Sequence, residues 1–299
     1  MPGTRVDAGA LARTRATDPG AVARAAERRR RRPLVGDSGR LMIIAADHPA
    51  RGALSVGGTP LAMADRTVLL ERLCTALARP GVDGVLATAD ILDDLLLLGA
   101  LDDKVVLGSM NRGGLAGASF ELDDRFTGLR PRDISRLGFD AGKLLLRIDY
   151  DDPGSLRTME AAARTVDAMA ELGLPVFVEP FISRRGPDGR LRNDLSAAAV
   201  TTAIAIASGL AGTSAYTWLK VPVTDDADDM ARVLAASTLP AVLLGGDTGR
   251  DPADQRRVYE RWRGALALPT VQGLVVGRSL LYPADDDVAG AVDTAVGLL

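Results

Sequence analysis

The 299-residue chain contains one cysteine, one histidine and, among 36 basic residues, only three lysines: Lys104, Lys143 and Lys220. A single cysteine, Cys74, excludes an intramolecular disulfide and a thiolate metal cluster. Its place in the apolar helical pattern VLLERLCTALA points to core packing. With His48 as the only histidine, a zinc-dependent site is not expected. The net charge of -3 removes any global electrostatic case for nucleic acid or an anionic membrane. No apolar run reaches the roughly 18 residues that a membrane span needs, and the N-terminus lacks the apolar core of a signal peptide. The expectation is a soluble, cytoplasmic protein with neither a nucleic-acid nor a membrane partner.

What is present is globular: 47% hydrophobic and 25% charged residues, over a length that suits one large domain or two ordinary ones. Residues 1–33 read as an N-terminal helical arm. Its run Arg28 to Arg32 follows an alanine-rich stretch, stops at Pro33, and is expected to be a solvated helix end or a subunit contact. Residues 34–299 repeat one rhythm, a short apolar run, a polar loop and an alanine- and leucine-rich helical pattern. Eight runs recur: LMIIAAD (41–47), GVLATAD (84–90), VVLGSMN (105–111), KLLLRIDY (143–150), PVFVEPF (175–181), YTWLKVP (216–222), PAVLLGGD (240–247) and GLVVGRS (273–279). Runs apolar almost throughout are the signature of parallel strands buried on both faces. Eight such units over this length predict an α/β fold, a (β/α)8 TIM barrel with an N-terminal helical extension.

Alternation along a barrel strand decides which side chains point inward. In the sixth run Trp218 and Lys220 share a face with Tyr216. In the fourth, Lys143, Arg147 and Asp149 oppose Leu144, Leu146 and Ile148. The same parity turns Glu179 and Asp47 inward. Five ionisable groups, Asp47, Lys143, Arg147, Glu179 and Lys220, thus converge at strand C-terminal ends, where barrel active sites lie. Such a cluster is costly to bury, so its members either form a structural ion-pair network or do chemistry. Desolvation and neighbouring cations favour the neutral amine of a buried lysine, a state closed to arginine. A neutral amine can attack a carbonyl and form a Schiff base. At the ends of the last two runs, Gly245, Gly246, Asp247, Gly277 and Arg278 stand where barrels bind phosphate, with glycines allowing close backbone approach. His48 and Arg51 follow the first run and are expected to contact substrate. A carboxylate-bound magnesium ion at Asp47, Glu179 or Asp247 is the one metal arrangement that these residue types leave open; neither a metal nor a cofactor enters the expected mechanism.

The stretches AADHPARGAL, GFDAGKLLLRIDYD, PVFVEP, LKVP, GGD and VVGRSLL together resemble the class I aldolases of the deoxyribose-phosphate, tagatose-bisphosphate and archaeal fructose-bisphosphate groups. The similarity is strongest to the tagatose-bisphosphate branch and to aldolase-like (β/α)8 proteins of actinobacteria. It implies that Lys220 forms the Schiff base, with Lys143, Glu179 and Asp47 at the matching catalytic positions, while the reading of the strands themselves adds Arg147, His48, Arg51, Asp149 and Trp218 as residues expected to bind substrate. Two departures are visible, Asp47-His48-Pro49-Ala50-Arg51-Gly52 on the first strand and Arg147 where that branch tends to have an aromatic residue. The expected function is a carbon-carbon lyase acting on a phosphorylated ketose or keto-acid phosphate, working as a homo-oligomer. A transaldolase-like synthase and a non-catalytic sugar-phosphate-binding barrel are the alternatives.

Overall fold

Residues 5–111, 114–224, 226–246 and 252–299 are described by a computed structural model. Eight parallel strands close on themselves: β1 (Leu41–Ala46), β2 (Gly84–Ala87), β3 (Val105–Ser109), β4 (Ala141–Ile148), β5 (Val176–Arg185), β6 (Thr217–Val221), β7 (Ala241–Leu244) and β8 (Val271–Val276). Each pairs with its sequence neighbour, and β8 returns to β1 with Leu41 opposite Gly273. The expected (β/α)8 barrel is therefore the fold. The fifth run extends further than the sequence pattern suggests. β5 continues to Arg185 and turns back through an antiparallel partner, Leu191–Asn193, so that Ser183 faces Asn193.

The strand parity sorts the core into two parts. Leu41, Ile43, Leu86, Val105, Leu107, Phe177, Val242 and Val275 fill the barrel interior. Alternate residues such as Met42, Ile44, Val85, Val106, Leu144, Leu146 and Val178 pack outward under the helices. Both faces of the barrel strands are thus largely removed from water, which accounts for the near-continuous apolar runs. The covering helices are α3 (Arg66–Leu77), α4 (Ala89–Leu97), α5 (Pro131–Arg136), α6 (Gly154–Glu171), α7 (Ala197–Ser208), α8 (Ala227–Leu234), α9 (Pro252–Leu266), α10 (Arg278–Leu281) and α11 (Val288–Val296). Their starts carry side-chain caps where a backbone N–H would otherwise be orphaned: Asp65 accepts from Val68 N, Ser196 from Ala199 N and Asp287 from Gly290 N. The longest, α6, stops at Leu172 because Gly173 then adopts φ +66, a left-handed conformation that ends a helix at little cost when the residue is glycine. Cys74 lies buried within α3, in the core.

Two N-terminal helices, α1 (Ala8–Thr17) and α2 (Ala21–Arg28), precede the barrel. The arginine run after them is only partly solvated: Arg28, Arg30 and Arg31 are exposed, while Arg29 and Arg32 turn inward. Arg29 is buried, donates to the carbonyls of Lys104 and Gly138 at 2.6 Å each, and pairs with Asp140. Arg32 pairs with Asp83 at 2.6 Å, and Arg30 with Asp102 and Asp103. The run clamps the loops at the N-terminal ends of β2, β3 and β4, where acidic residues accept from it and Asp140 meets the one buried guanidinium, Arg29. Leu34 and Val35 then pack on the interior core beside Trp218. The reactive face is left to the opposite, C-terminal end.

Candidate active site

Four strands bring their inward polar residues to one point. Lys143 on β4 places Nζ 2.9 Å from Asp47 Oδ2, just past β1, and 2.5 Å from Glu179 Oε2 on β5. Lys220 on β6 places Nζ 2.6 Å from Glu179 Oε1. Glu179 thus bridges the two amines with one oxygen each. The parity that points these side chains inward is the one that fills the layer below with Phe177 and Val242.

The two lysines sit in the same pocket and are driven in opposite directions. Burial disfavours the ammonium form of both. For Lys143 this is outweighed by the two carboxylates that flank it, Asp47 and Glu179, and its pKa lies above the ordinary lysine value. For Lys220 burial wins: Glu179 and, less strongly, Asp47 oppose it, the Lys143 charge reinforces it, and the pKa is pushed down. The carboxylates respond in kind. Burial raises Glu179, but Lys143 and Lys220 more than reverse it and hold the carboxyl at about 2. Asp47 is likewise raised by burial and brought well below the carboxylate range by Lys143, His48 and Lys220. The resting centre is a cation between two anions, with a second amine whose charged form is disfavoured by burial.

His48 has its side chain only a quarter exposed and its Nδ1 3.7 Å from Asp47 Oδ1, too far for a hydrogen bond. Burial, with the Arg278 and Lys220 charges, lowers its pKa to about 4 against the pull of Asp47. The folded state therefore binds this proton less readily than the unfolded chain, whose imidazole titrates at about 6.5. The unfolded state takes up more protons as pH falls between those values, so stability decreases over that window. Thermal melts are expected to show a midpoint that falls from pH 6.5 to pH 4, and His48→Gln is expected to flatten the slope. An unchanged slope in that variant would remove His48 as the cause.

Around this centre lies a cleft of about 350 Å³, within the usual range for small-molecule sites. Ten of the expected residues line it: Asp47, His48, Arg51, Lys143, Glu179, Lys220, Gly245, Gly246, Gly277 and Arg278. Gly277 has a packing reason to lack a side chain, since a Cβ there would collide with the Ala45 carbonyl oxygen. Four expectations fare differently. Trp218 stacks on Phe177 at 5.1 Å and belongs to the barrel floor, on the far side of Lys220 from the cleft. It shares the inward face but lies nearer the N-terminal end of its strand. Asp149 accepts from the backbone N–H groups of Arg185 and Asp151 and stands outside the cleft lining, joining the ends of β4 and β5. Arg147 is buried and paired with Glu121 at 2.7 Å, so its charge is spent there rather than on Lys220. Asp247 lies outside the described residues.

The sequence reading also missed wall residues. Leu145, Phe181, Asn193, Leu195 and Pro222 line the cleft. Asn193 arrives on the return strand after β5, where its Oδ1 accepts from Ser183 Oγ at 2.9 Å. The turn signal GPDG in RRGPDGRLRN could have announced that hairpin. Glu121 had no such signal, because its two arginine partners lie 70 and 26 residues away in sequence. Among the described residues, no group of three or more His, Cys, Asp and Glu side chains is arranged to hold a metal ion.

Comparisons with known proteins agree with this architecture. The crystal structure of Cgl0159 from Corynebacterium glutamicum superposes with a TM-score of 0.94 at 51% identity, covering 99% of this chain and 98% of that one. An archaeal fructose 1,6-bisphosphate aldolase superposes at 0.65 with 19% identity over 93% of this chain and 98% of its own. The fructose-bisphosphate aldolase of Slackia heliotrinireducens does so at 0.57 with 17% identity over 98% and 94%. At those identities the aldolases share the fold. No curated protein matches the chain. The Cgl0159-like pattern matches residues 39–296, and with that span and the 51% identical relative the chain belongs to the Cgl0159-like family.

Proposed function

We propose that the protein is a class I carbon-carbon lyase that acts on a phosphorylated ketose or keto-acid phosphate through a Schiff base on Lys220. The observation that carries this is the asymmetry of the lysine pair. An amine driven toward neutrality beside one held charged is the arrangement a nucleophilic lysine needs. The likeness of the barrel to Schiff-base-forming fructose-bisphosphate aldolases supports it at the level of fold. Kinship with the tagatose-bisphosphate branch rests on the strand motifs alone.

In this mechanism neutral Lys220 Nζ adds to the substrate carbonyl carbon. The nitrogen loses a proton to Glu179, 2.6 Å away in the resting site, and Glu179 returns it to the carbinolamine oxygen. A second proton, taken from solvent and relayed by Glu179, lets the hydroxyl leave as water, and an iminium remains. The carbon-carbon bond one position along then breaks, its electron pair entering the iminium to form an enamine while the reacting hydroxyl gives its proton to Asp47. Protonation and hydrolysis of the enamine release the second product and restore the amine. Lys143 stays charged throughout and stabilises negative charge on the carbonyl oxygen. Gly245, Gly246, Gly277 and Arg278 hold the phosphate: the glycine backbones admit it closely and the guanidinium supplies charge.

Borohydride reduction in the presence of a panel of ketose phosphates, followed by peptide mass mapping, tests the proposal. The expected result is a reduced adduct on Lys220. An adduct confined to another residue, or none from folded protein across the panel, would overturn it.

A further inference from the structure

The cleft changes character one layer above its charged centre. Along a strand the next inward position comes two residues on. For the three catalytic side chains of β4, β5 and β6 that position is apolar: Lys143 is followed by Leu145, Glu179 by Phe181 and Lys220 by Pro222. All three line the cleft, and Leu195 extends the apolar wall. Leu145 and Phe181 are each only 6% exposed. This collar offers a substrate hydroxyl little to bond. The Leu145 N–H and carbonyl are both engaged by the Asn111 side chain, at 2.8 and 2.7 Å. Pro222 has no N–H to give. The next inward residue of β5, Ser183, donates its hydroxyl to Asn193 Oδ1 at 2.9 Å. Of the guanidinium groups that line the cleft, Arg278 stands at the phosphate end and Arg51 is already paired with Glu121 at 3.0 Å.

The collar also stands at the correct end of the cleft. Strand order sets β4 and β5 across the barrel from β8, whose end carries Gly277 and Arg278. A substrate with its phosphate there, its carbonyl at Lys220 and its reacting hydroxyl at Asp47 has its remaining chain to place against the wall of β4 to β6. We propose that Leu145, Phe181 and Pro222, with Leu195 beside them, hold the part of the substrate beyond its reacting hydroxyl and select a deoxygenated chain there, with methylene carbons where a sugar carries hydroxyls and no second phosphate. The inference rests on the Schiff-base reading for which carbons react. It narrows the substrate to monophosphates that release a short aldehyde deoxygenated next to its carbonyl. A hydroxyl held against this wall loses water and gains no partner, which weakens binding about tenfold or more. A buried methylene instead strengthens it about fourfold. A phosphate dianion fares worse than a hydroxyl, because desolvating a charge without a partner costs more.

Open-chain alditol phosphates test this by calorimetry on the full chain. With the ketone reduced they can neither close a ring nor form an adduct, so the comparison is independent of the borohydride experiment. The three probes are mannitol 1-phosphate, mannitol 1,6-bisphosphate and the 5,6-dideoxy analogue of mannitol 1-phosphate. The dideoxy probe is expected to bind about tenfold or more tightly than either of the others. Phe181→Asn should erase that preference by giving the hydroxyls a partner. Leu195→Lys, at a position 56% exposed and so tolerant of change, should raise bisphosphate binding relative to the dideoxy probe. Uniform weakening of all three probes in both variants would mark a merely structural collar and overturn the selectivity. A dideoxy preference without any borohydride adduct keeps the selectivity and discards the lyase, whereas an adduct without that preference discards the selectivity alone. Equal binding, tighter binding of either polar probe, or no binding in the unsubstituted chain overturns the proposal even if the variants fail to fold.

Discussion

Lys220→Met is expected to abolish turnover, by at least about 10³-fold, the scale seen when a covalent nucleophile is removed. It should also abolish the borohydride adduct and leave the chain folded. Methionine preserves most of the volume of a side chain that is 6% exposed. Little stability should be lost with the amine, because burial already disfavours its charge. Glu179 keeps its other partner, Lys143 Nζ at 2.5 Å. Lys220→Arg is expected to be equally inactive, since a guanidinium stays protonated and cannot attack a carbonyl. Mass spectrometry of the reduced protein and circular dichroism of the variant report the two halves of the result. Turnover that survives either substitution would remove Lys220 from the chemistry.

Lys143→Met is expected to damage the same centre in a different way. Here the lost group is a charge that two buried carboxylates depend on, Asp47 at 2.9 Å and Glu179 at 2.5 Å. Breaking a buried pair by removing one partner costs about 3–5 kcal/mol, which denaturant unfolding would detect. The pH dependence follows from the directions of shift. Glu179 is held at about 2 in the fold, below its unfolded value, so its contribution to stability is present above the ordinary carboxylate range and is lost as pH falls through about 2. Lys143 is raised, so its contribution is complete below the ordinary lysine value and is lost as pH rises beyond it. Without Lys143 the two carboxylates titrate higher, and the stability deficit of the variant should shrink on acidification as they become neutral. Activity should move the other way. The Lys143 charge helps depress Lys220, so its removal lets the Lys220 amine hold its proton to higher pH. The acid limb of the pH-rate profile should therefore shift upward. A deficit independent of pH, or an acid limb that stays in place, would contradict the electrostatic coupling of the two lysines.

Much of this site is legible along the strands. Alternation with a period of two assigns Lys143, Glu179 and Lys220 to the barrel interior, and the same face carries Phe177 and Val242 below them. Alternation gives the face of a residue but not its height along the barrel axis. Trp218 illustrates the difference, since it shares a face with Lys220 yet stacks on Phe177 in the floor. Arg147 and Asp149 illustrate another, since each lies on the inward side of β4 or just past it yet finds a partner outside the cleft, Glu121 for one and the backbone of β5 for the other. The arginine run after the N-terminal helices resembled a solvated end because nothing local marks Asp83, Asp102, Asp103 and Asp140 as its partners.

The sequence by itself determined the barrel, the inward face of each strand and the identity of the lysine-rich centre, because these follow from local periodicity and from which residue types can be buried. Only the tertiary structure decided how the two lysines differ. Both are buried amines on apolar strands, and they differ in the carboxylates that reach them. Two carboxylates enclose Lys143 and one touches Lys220, so the balance of desolvation against charge falls on opposite sides for the pair. It likewise decided that Glu121 holds Arg51 and Arg147 together, since a contact between residues far apart in the chain exists only once the barrel has closed.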